Sequence, residues 1–304
     1  MWLRKRGMLL QWCKVAVGLA GLAGVLYVLV QRLHRRRGAD RVSTVNEGPT
    51  LILDWYGFWG EPISNYWDPK HQAACPHSNC IFTQNRDLIP KARAVVFHAA
   101  ERKTAEDKDL PSHYPDQYFV LFSHEAPPLT FMPPAYVPMD YFNVSFTYRR
   151  DSDVFLPYLE VLRRKGNKQK LNYHSIGKTK LAAWMVSNCK TDGLREEYVN
   201  KLQRLMPIDI YGKCGTLTCE KGDVSCDGML GETYKFYLAF ENAACKDYVS
   251  EKVLKPVLHG MVPVVLSDWV CRDILPPKSY IAADQFQSAK DLADYLLYLD
   301  KNST

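Results

Sequence analysis

Between residues 50 and 148 the chain repeats one pattern, a short unbroken apolar run followed by a polar stretch. The runs TLILDWY (50–56), ARAVVFHA (92–99), QYFVLFSHE (117–125) and NVSFTY (143–148) are rich in β-branched and aromatic residues, and they predict buried strands. VFLPYLEVLRR (154–164) predicts a helix. It runs into KGNKQKLNYHSIGKTK, a basic segment with glycine and no apolar period. A second series follows, with strands predicted at LAAWMVSNC (181–189), IDIYGKC (208–214), KFYLAFEN (235–242), MVPVVLS (261–267) and SYIAADQF (279–286). Helices are predicted at LREEYVNKLQRL (194–205), from about Ser250, and at AKDLADYLLYL (289–299). Continuous apolar strands interleaved with amphipathic helices argue for parallel sheets covered on both faces. The expectation is an α/β chain of two Rossmann-like domains, 49–165 and 181–304, joined by a linker at 166–180 and facing each other across a cleft.

The first fifty residues follow a different pattern. Residues 8–30 form an apolar stretch long enough to span a bilayer, with Lys14 near one end and the basic patch QRLHRRRGAD after it. No small-residue cleavage site follows, which argues against a removable leader, and the stretch has no polar face, which argues against a core helix. The reading is a short tail (1–7), a single-pass signal anchor (8–30) and a polar stem (31–48). Much of the net charge of +6 sits beside this stretch, so the rest of the chain offers little support for nucleic-acid binding. Eight of the nine cysteines follow the anchor and could pair completely, three of them in CGTLTCEKGDVSC. Their spacing lacks the knuckles and histidine pairs of zinc modules. Acceptor sequons at Asn143 (NVS) and Asn302 (NST) also fit a secretory compartment.

Ligands of open α/β sheets bind outside the carboxyl ends of the strands. Three places there carry polar residues. In SHEAPP, Glu125 follows a strand and precedes two prolines that stiffen its loop. Such a carboxylate suits general-base work; a loop-capping or surface-pairing acid is the plainer alternative, and His124 reads as a structural neighbour. In SNCKTDGLR, Asn188 ends a strand and Arg195 opens a helix, where a guanidinium and free N–H groups suit phosphate. An ordinary helical arginine would look the same. In ENAACKDYVSEK, Lys252 falls in the first turn of a helix, where a cation is disfavoured unless an anion shares the site. A diphosphate would resolve that conflict, with Glu251 accepting sugar hydroxyls and Tyr248 and Asn242 adding hydrogen bonds; a solvated Glu251–Lys252 pair is the alternative. Asp151-Ser152-Asp153 fits an Asp-x-Asp metal pattern but reads better as a structural cluster with Arg149 and Arg150.

These segments resemble a known family. YKFYLAFENAACKDYVSEK followed by GMVPVVL is similar to the donor-binding signature of the α-1,3-fucosyltransferases, SFTYRRDSDVFLPY to that family's second shared segment, and SHEAPP to its acidic loop. The cysteine-rich YGKCGTLTCEKGDVSCDGML looks like invertebrate members. The resemblance implies a GT-B fold, GDP-fucose as donor, a GlcNAc-containing glycan on glycoproteins as acceptor, and inverting α-1,3 transfer in the Golgi membrane with the body lumenal. By position, Glu125 would be the base, Arg195 and Lys252 would hold the diphosphate, and Asn242, Tyr248 and Glu251 would line the donor pocket. No metal or other cofactor would be required, although a divalent ion could stimulate. Ser250 stands where the family commonly has threonine. The chain ends at Thr304, where the family continues, so the second domain is expected to be incomplete. A catalytically silent relative that binds glycans or acts as a scaffold is the competing expectation.

Overall fold

The computed structural model describes residues 49–66, 79–100, 110–130, 137–138, 140–162, 177–219 and 223–302. The expected tail, anchor and stem lie outside the described residues, as does most of the expected linker. Among the described residues no helix is long and apolar enough to cross a membrane. Leu51–Thr304 form one compact unit, and it carries two sheets.

The first sheet has six strands in the order β2-β1-β3-β4-β5-β6. They are β1 (Thr50–Asp54), β2 (Cys80–Thr83), β3 (Ala94–His98), β4 (Tyr118–Ser123), β5 (Val144–Thr147) and β6 (Val154–Phe155). From β1 through β6 the pairings β1–β3, β3–β4, β4–β5 and β5–β6 are parallel. Side chains alternate across the strands. Leu53, Val95, Phe97 and Phe119 pack on one face, and Val96, Val120 and Phe122 on the other.

The second sheet has five strands in the order β11-β10-β9-β7-β8, all paired in parallel. Its strands are β7 (Lys180–Met185), β8 (Ile208–Tyr211), β9 (Tyr234–Leu238), β10 (Val262–Val265) and β11 (Ile281–Ala282). The helices are α1 (Arg195–Gln203), α2 (Val224–Thr233), α3 (Glu251–Leu258), α4 (Asp268–Cys271) and α5 (Ala289–Lys301). Burial follows the two-residue period of the strands. Ala182, Trp184, Phe236 and Leu238 meet Val199 and Leu202 of α1 and Leu292 and Leu296 of α5. Ala183, Tyr237 and Ala239 meet Leu230 of α2, Val253 of α3 and Val270 of α4 on the opposite face. The unbroken apolar runs have this cause: helices cover both sides, so neither face of the strand can be polar.

The expected α/β class and parallel sheets are present, but some elements differ. Residues 154–162 form no helix. Val154 and Phe155 pair with Phe146 and Thr147 at the sheet edge, and Pro157 removes a donor that a helix would need. Strand β2 and helix α2 carry no clear periodic signal; α2 starts where Asp223 caps the Ser225 N–H at 2.9 Å. Helix α3 starts after Ser250 as expected, with Pro256 in its second turn. The helix ends two residues later, and the Pro256 carbonyl accepts from Met261 N at 2.8 Å. Cys189–Cys214 and Cys219–Cys226 are disulfides. Complete pairing of the eight cysteines is not reached, because Cys271 is a buried free thiol.

Leu292 and Leu296 of α5 are fully buried against the second sheet. Leu292→Ala should lower unfolding stability by about 2–5 kcal/mol, the range for buried leucine truncations. Denaturant melts with an unchanged slope would check it.

Candidate active site

In a parallel sheet all carboxyl ends lie on one edge, and each of the three polar segments sits at such an end. Glu125 follows β4. The Ser123 hydroxyl donates to the Glu125 carbonyl at 3.0 Å and lies 3.2 Å from the Glu125 N–H. Ala126 behind it is fully buried, and a short 3₁₀ turn, Pro127–Leu129, follows. The carboxylate therefore hangs from a pinned loop. His124 is held apart from it: its ring stacks on Tyr158 at 4.6 Å and its Nε2 lies 3.1 Å from the Leu156 carbonyl. Burial lowers its pKa, an effect only partly offset by the Leu156 bond and by Glu125 and Glu251. The neutral ring is the structural neighbour expected.

Tyr248 links the two sheets. Its hydroxyl donates to Glu125 Oε2 at 2.8 Å, although the two residues come from loops after different sheets. The ring is 1% exposed and packs against Tyr148 at 5.0 Å and Tyr158 at 6.1 Å. Burial, and then the Glu125 and Glu241 carboxylates, push its pKa far up, so the phenol keeps its proton and remains a donor. Beside it the Asp247 carboxylate accepts from Arg150 N at 3.2 Å. Asp247 has a positive φ of 62°, which turns the loop so that Tyr248 faces inward.

Arg195 is 4% exposed. Its guanidinium donates to the carbonyls of Phe240 at 2.7 Å and Asn188 at 3.2 Å and to Glu196 at 3.2 Å. It thus ties the loop after β7 to the end of β9. Gly193 completes the tie: its N–H donates to the Asn242 carbonyl at 3.3 Å, and a Cβ there would lie 3.0 Å from that oxygen. Asn242 has a buried Oδ1 with no hydrogen-bond partner among the described residues.

Lys252 meets an anion that sequence reasoning passed over. Its Nζ lies 3.0 Å from Glu241 Oε2 and donates to Ser250 Oγ at 2.8 Å. Glu251, in contrast, is exposed and 3.6 Å from that ammonium. The conflict of a cation in a first helical turn is met inside the chain by Glu241. A lone acid after an apolar run gives no hint of this; the signal was the run itself, which buries whatever ends it.

The acids of the Asp-x-Asp segment are engaged elsewhere. Asp151 takes a two-pronged bond from Arg149 at 2.8 and 2.5 Å, and Asp153 accepts from Ser145 N and Oγ at 2.9 and 2.8 Å. Both sequon asparagines are exposed by residue. The Asn143 side chain bonds Phe119 N and the Gln117 carbonyl at 2.9 and 3.0 Å, while Asn302 donates to the Tyr298 carbonyl at the end of α5.

At the ends of β9 and β10 lies a small pocket of about 20 Å³, lined by Glu241, Ala243, Val265, Ser267 and Cys271 among others. The carboxyl ends of parallel strands are where open α/β folds bind ligands, and this pocket lies at those ends of the second sheet. A crystal structure entitled alpha1,3-fucosyltransferase with GDP superposes with a TM-score of 0.57 over 86% of this chain and 81% of that one, at 15% identity. That likeness concerns the fold, which is GT-B-like. Residues 175–304 match the glycosyltransferase family 10 (fucosyltransferase) C-terminal domain, and residues 47–159 match the fucosyltransferase N-terminal domain.

The chain belongs to glycosyltransferase family 10, the fucosyltransferases. It is 40% identical over 267 residues to the cattle 3-galactosyl-N-acetylglucosaminide 4-alpha-L-fucosyltransferase FUT3, covering 84% of this chain and 69% of that protein. It is 39% identical over 250 residues to alpha-(1,3)-fucosyltransferase fut-1 of Caenorhabditis elegans, covering 78% of this chain. Identity is 35% over 274 residues to alpha-(1,3)-fucosyltransferase C of Drosophila melanogaster, covering 81% of this chain. The chain spans 55% of the nematode protein's length and 64% of the fly protein's.

Burial, Glu241 and nearby aspartates push the Cys271 thiol up to about 12. It should therefore resist iodoacetamide at pH 8 in the folded protein and react once unfolded, read by mass spectrometry. The unfolded thiol ionises from about pH 9, so its contribution makes the fold less stable as pH rises from 9 towards 12.

Proposed function

We propose that the chain is an inverting α-1,3-fucosyltransferase that moves L-fucose from GDP-fucose to a GlcNAc of a glycoprotein glycan. The observation that carries this reading is the Glu125–Tyr248 bond of 2.8 Å. It joins a pinned carboxylate at the end of one sheet to the donor-side loop of the other, which also bears Lys252. Inversion needs one base opposite the leaving group, and a departing diphosphate needs cations rather than a general acid.

In this reading the acceptor binds on the 49–165 half and its hydroxyl loses a proton to Glu125 as its oxygen attacks the fucose anomeric carbon. GDP leaves from the 181–304 half, its developing charge met by Lys252 and by N–H groups framed by Arg195. Asn242, Tyr248 and Glu251 line the donor pocket, and the unpartnered Asn242 Oδ1 is an acceptor there. No metal is required. Residues 8–30 anchor the chain in the Golgi membrane with its body lumenal, where Asn143 and Asn302 would be glycosylated. The worm and fly relatives bear the name alpha-(1,3)-fucosyltransferase, which supports the linkage.

The test is transfer of labelled fucose from GDP-fucose to core and antennal glycans, with product linkage determined. Absence of transfer with GDP still bound would favour a silent binding protein. Glu125→Gln should keep GDP-fucose binding and lose transfer by about 10²–10⁴-fold, the usual contribution of a general base; near-normal turnover would remove Glu125 from that role. Treatment with EDTA should leave most of the activity, and a complete loss restored by a divalent ion would show that the reaction needs a metal.

A further inference from the structure

The end of β9 places a carboxylate where a carboxylate is costly. Glu241 is 8% exposed, and burial pushes its pKa up, opposed chiefly by Lys252. It is kept by a closed ring of contacts. Oε1 accepts from Ser250 N at 2.7 Å, and Oε2 accepts from Ser250 Oγ at 3.0 Å. Lys252 Nζ sits 3.0 Å from Oε2 and donates to Ser250 Oγ at 2.8 Å. The serine hydroxyl has one proton, given to Glu241, and its lone pair receives the ammonium. An ammonium has three N–H donors. Two are directed into this ring; Glu251 at 3.6 Å is beyond hydrogen-bond reach, so the third is open to an outside anion. Lysine is a point charge on a flexible stem, and without the ring its head would have no fixed place.

We propose that Glu241 is a positioning residue for the donor diphosphate. It never touches the phosphates, whose charge it would repel, but clamps Lys252 through Ser250 so that one N–H of the ammonium faces them. This inference rests on the reading of Lys252 as the phosphate cation. It also explains why a helix whose N-terminus already holds an anion can serve a second one: Glu241 occupies the inner side of the lysine and leaves the outer side free.

The experiment uses the full-length chain and two readouts. The first needs no donor: pulse acetylation with acetic anhydride, reading Lys252 by mass spectrometry against exposed Lys246. Glu241→Gln, nearly isosteric, should raise Lys252 acetylation several-fold at unchanged Lys246 rate. Ser250→Ala, which keeps the Ser250 N–H, should raise it less. An unchanged Lys252 rate in either variant, provided it melts as a folded protein, overturns the clamp.

The second readout is GDP affinity by calorimetry. Glu241→Gln should weaken binding roughly tenfold, in the range for hydrogen bonds to charged groups, and should add almost nothing in a Lys252→Met background. A merely structural role would weaken binding equally in both backgrounds, and that result overturns the proposal. Faster Lys252 acetylation in a protein that binds no GDP would uphold the clamp and sink the proposed function instead.

Discussion

A buried carboxylate that must be neutralised organises the second half of this protein. β9 runs through the centre of the second sheet, and Glu241, three residues past its end, is buried. Its charge can persist there only with hydrogen bonds and an opposite charge at contact distance. Ser250 and Lys252 provide both, and in doing so they fix where α3 begins. The start of α3 in turn sets the preceding loop, from Ala243 to Val249, whose Tyr248 reaches the other sheet.

The reach of Tyr248 is what makes one site out of two sheets. Its ring is enclosed by Tyr148 and Tyr158 from the first half, and its phenol is held protonated beside Glu125. Arg195 does comparable work within the second half. Its guanidinium binds two backbone carbonyls from neighbouring strand ends, so the loops after β7 and β9 share one framework. A planar fork of fixed donors suits that task better than a flexible ammonium would. Arg195 and Lys252 therefore divide their duties: Arg195 ties the backbone frame, and Lys252 meets the buried Glu241.

Much of this was legible in the sequence. The strands β1, β3, β4, β5, β7, β8, β9 and β10 each match an apolar run to within one residue, because burial on both faces leaves little room for polar residues. Helices α1, α3 and α5 were visible through their spacing, and the structure adds Ser250 and Ser288 as the N-caps of α3 and α5. The segment from Val154 misled because its apolar spacing suits a helix; strand pairing to β5 is a long-range choice that local spacing does not encode. Helix α2 was hidden by its cysteine and glycine content, and its hold on the sheet comes from Leu230 and the Cys219–Cys226 bridge.

By itself the sequence determined the alternation of parallel strands and helices, the ends where chemistry could gather, and most of the residues there. Local rules suffice for these, since strand burial, capping and loop stiffness act over a few positions. Only the tertiary structure decided which side chains meet. Glu125 and Tyr248 are 123 positions apart, and whether Lys252 faces Glu251 or Glu241 depends on which carboxylate the fold buries. Burial and pairing of charge belong to the packed molecule, where a few ångströms separate a solvated acid from a clamp, and no spacing along the chain records that difference.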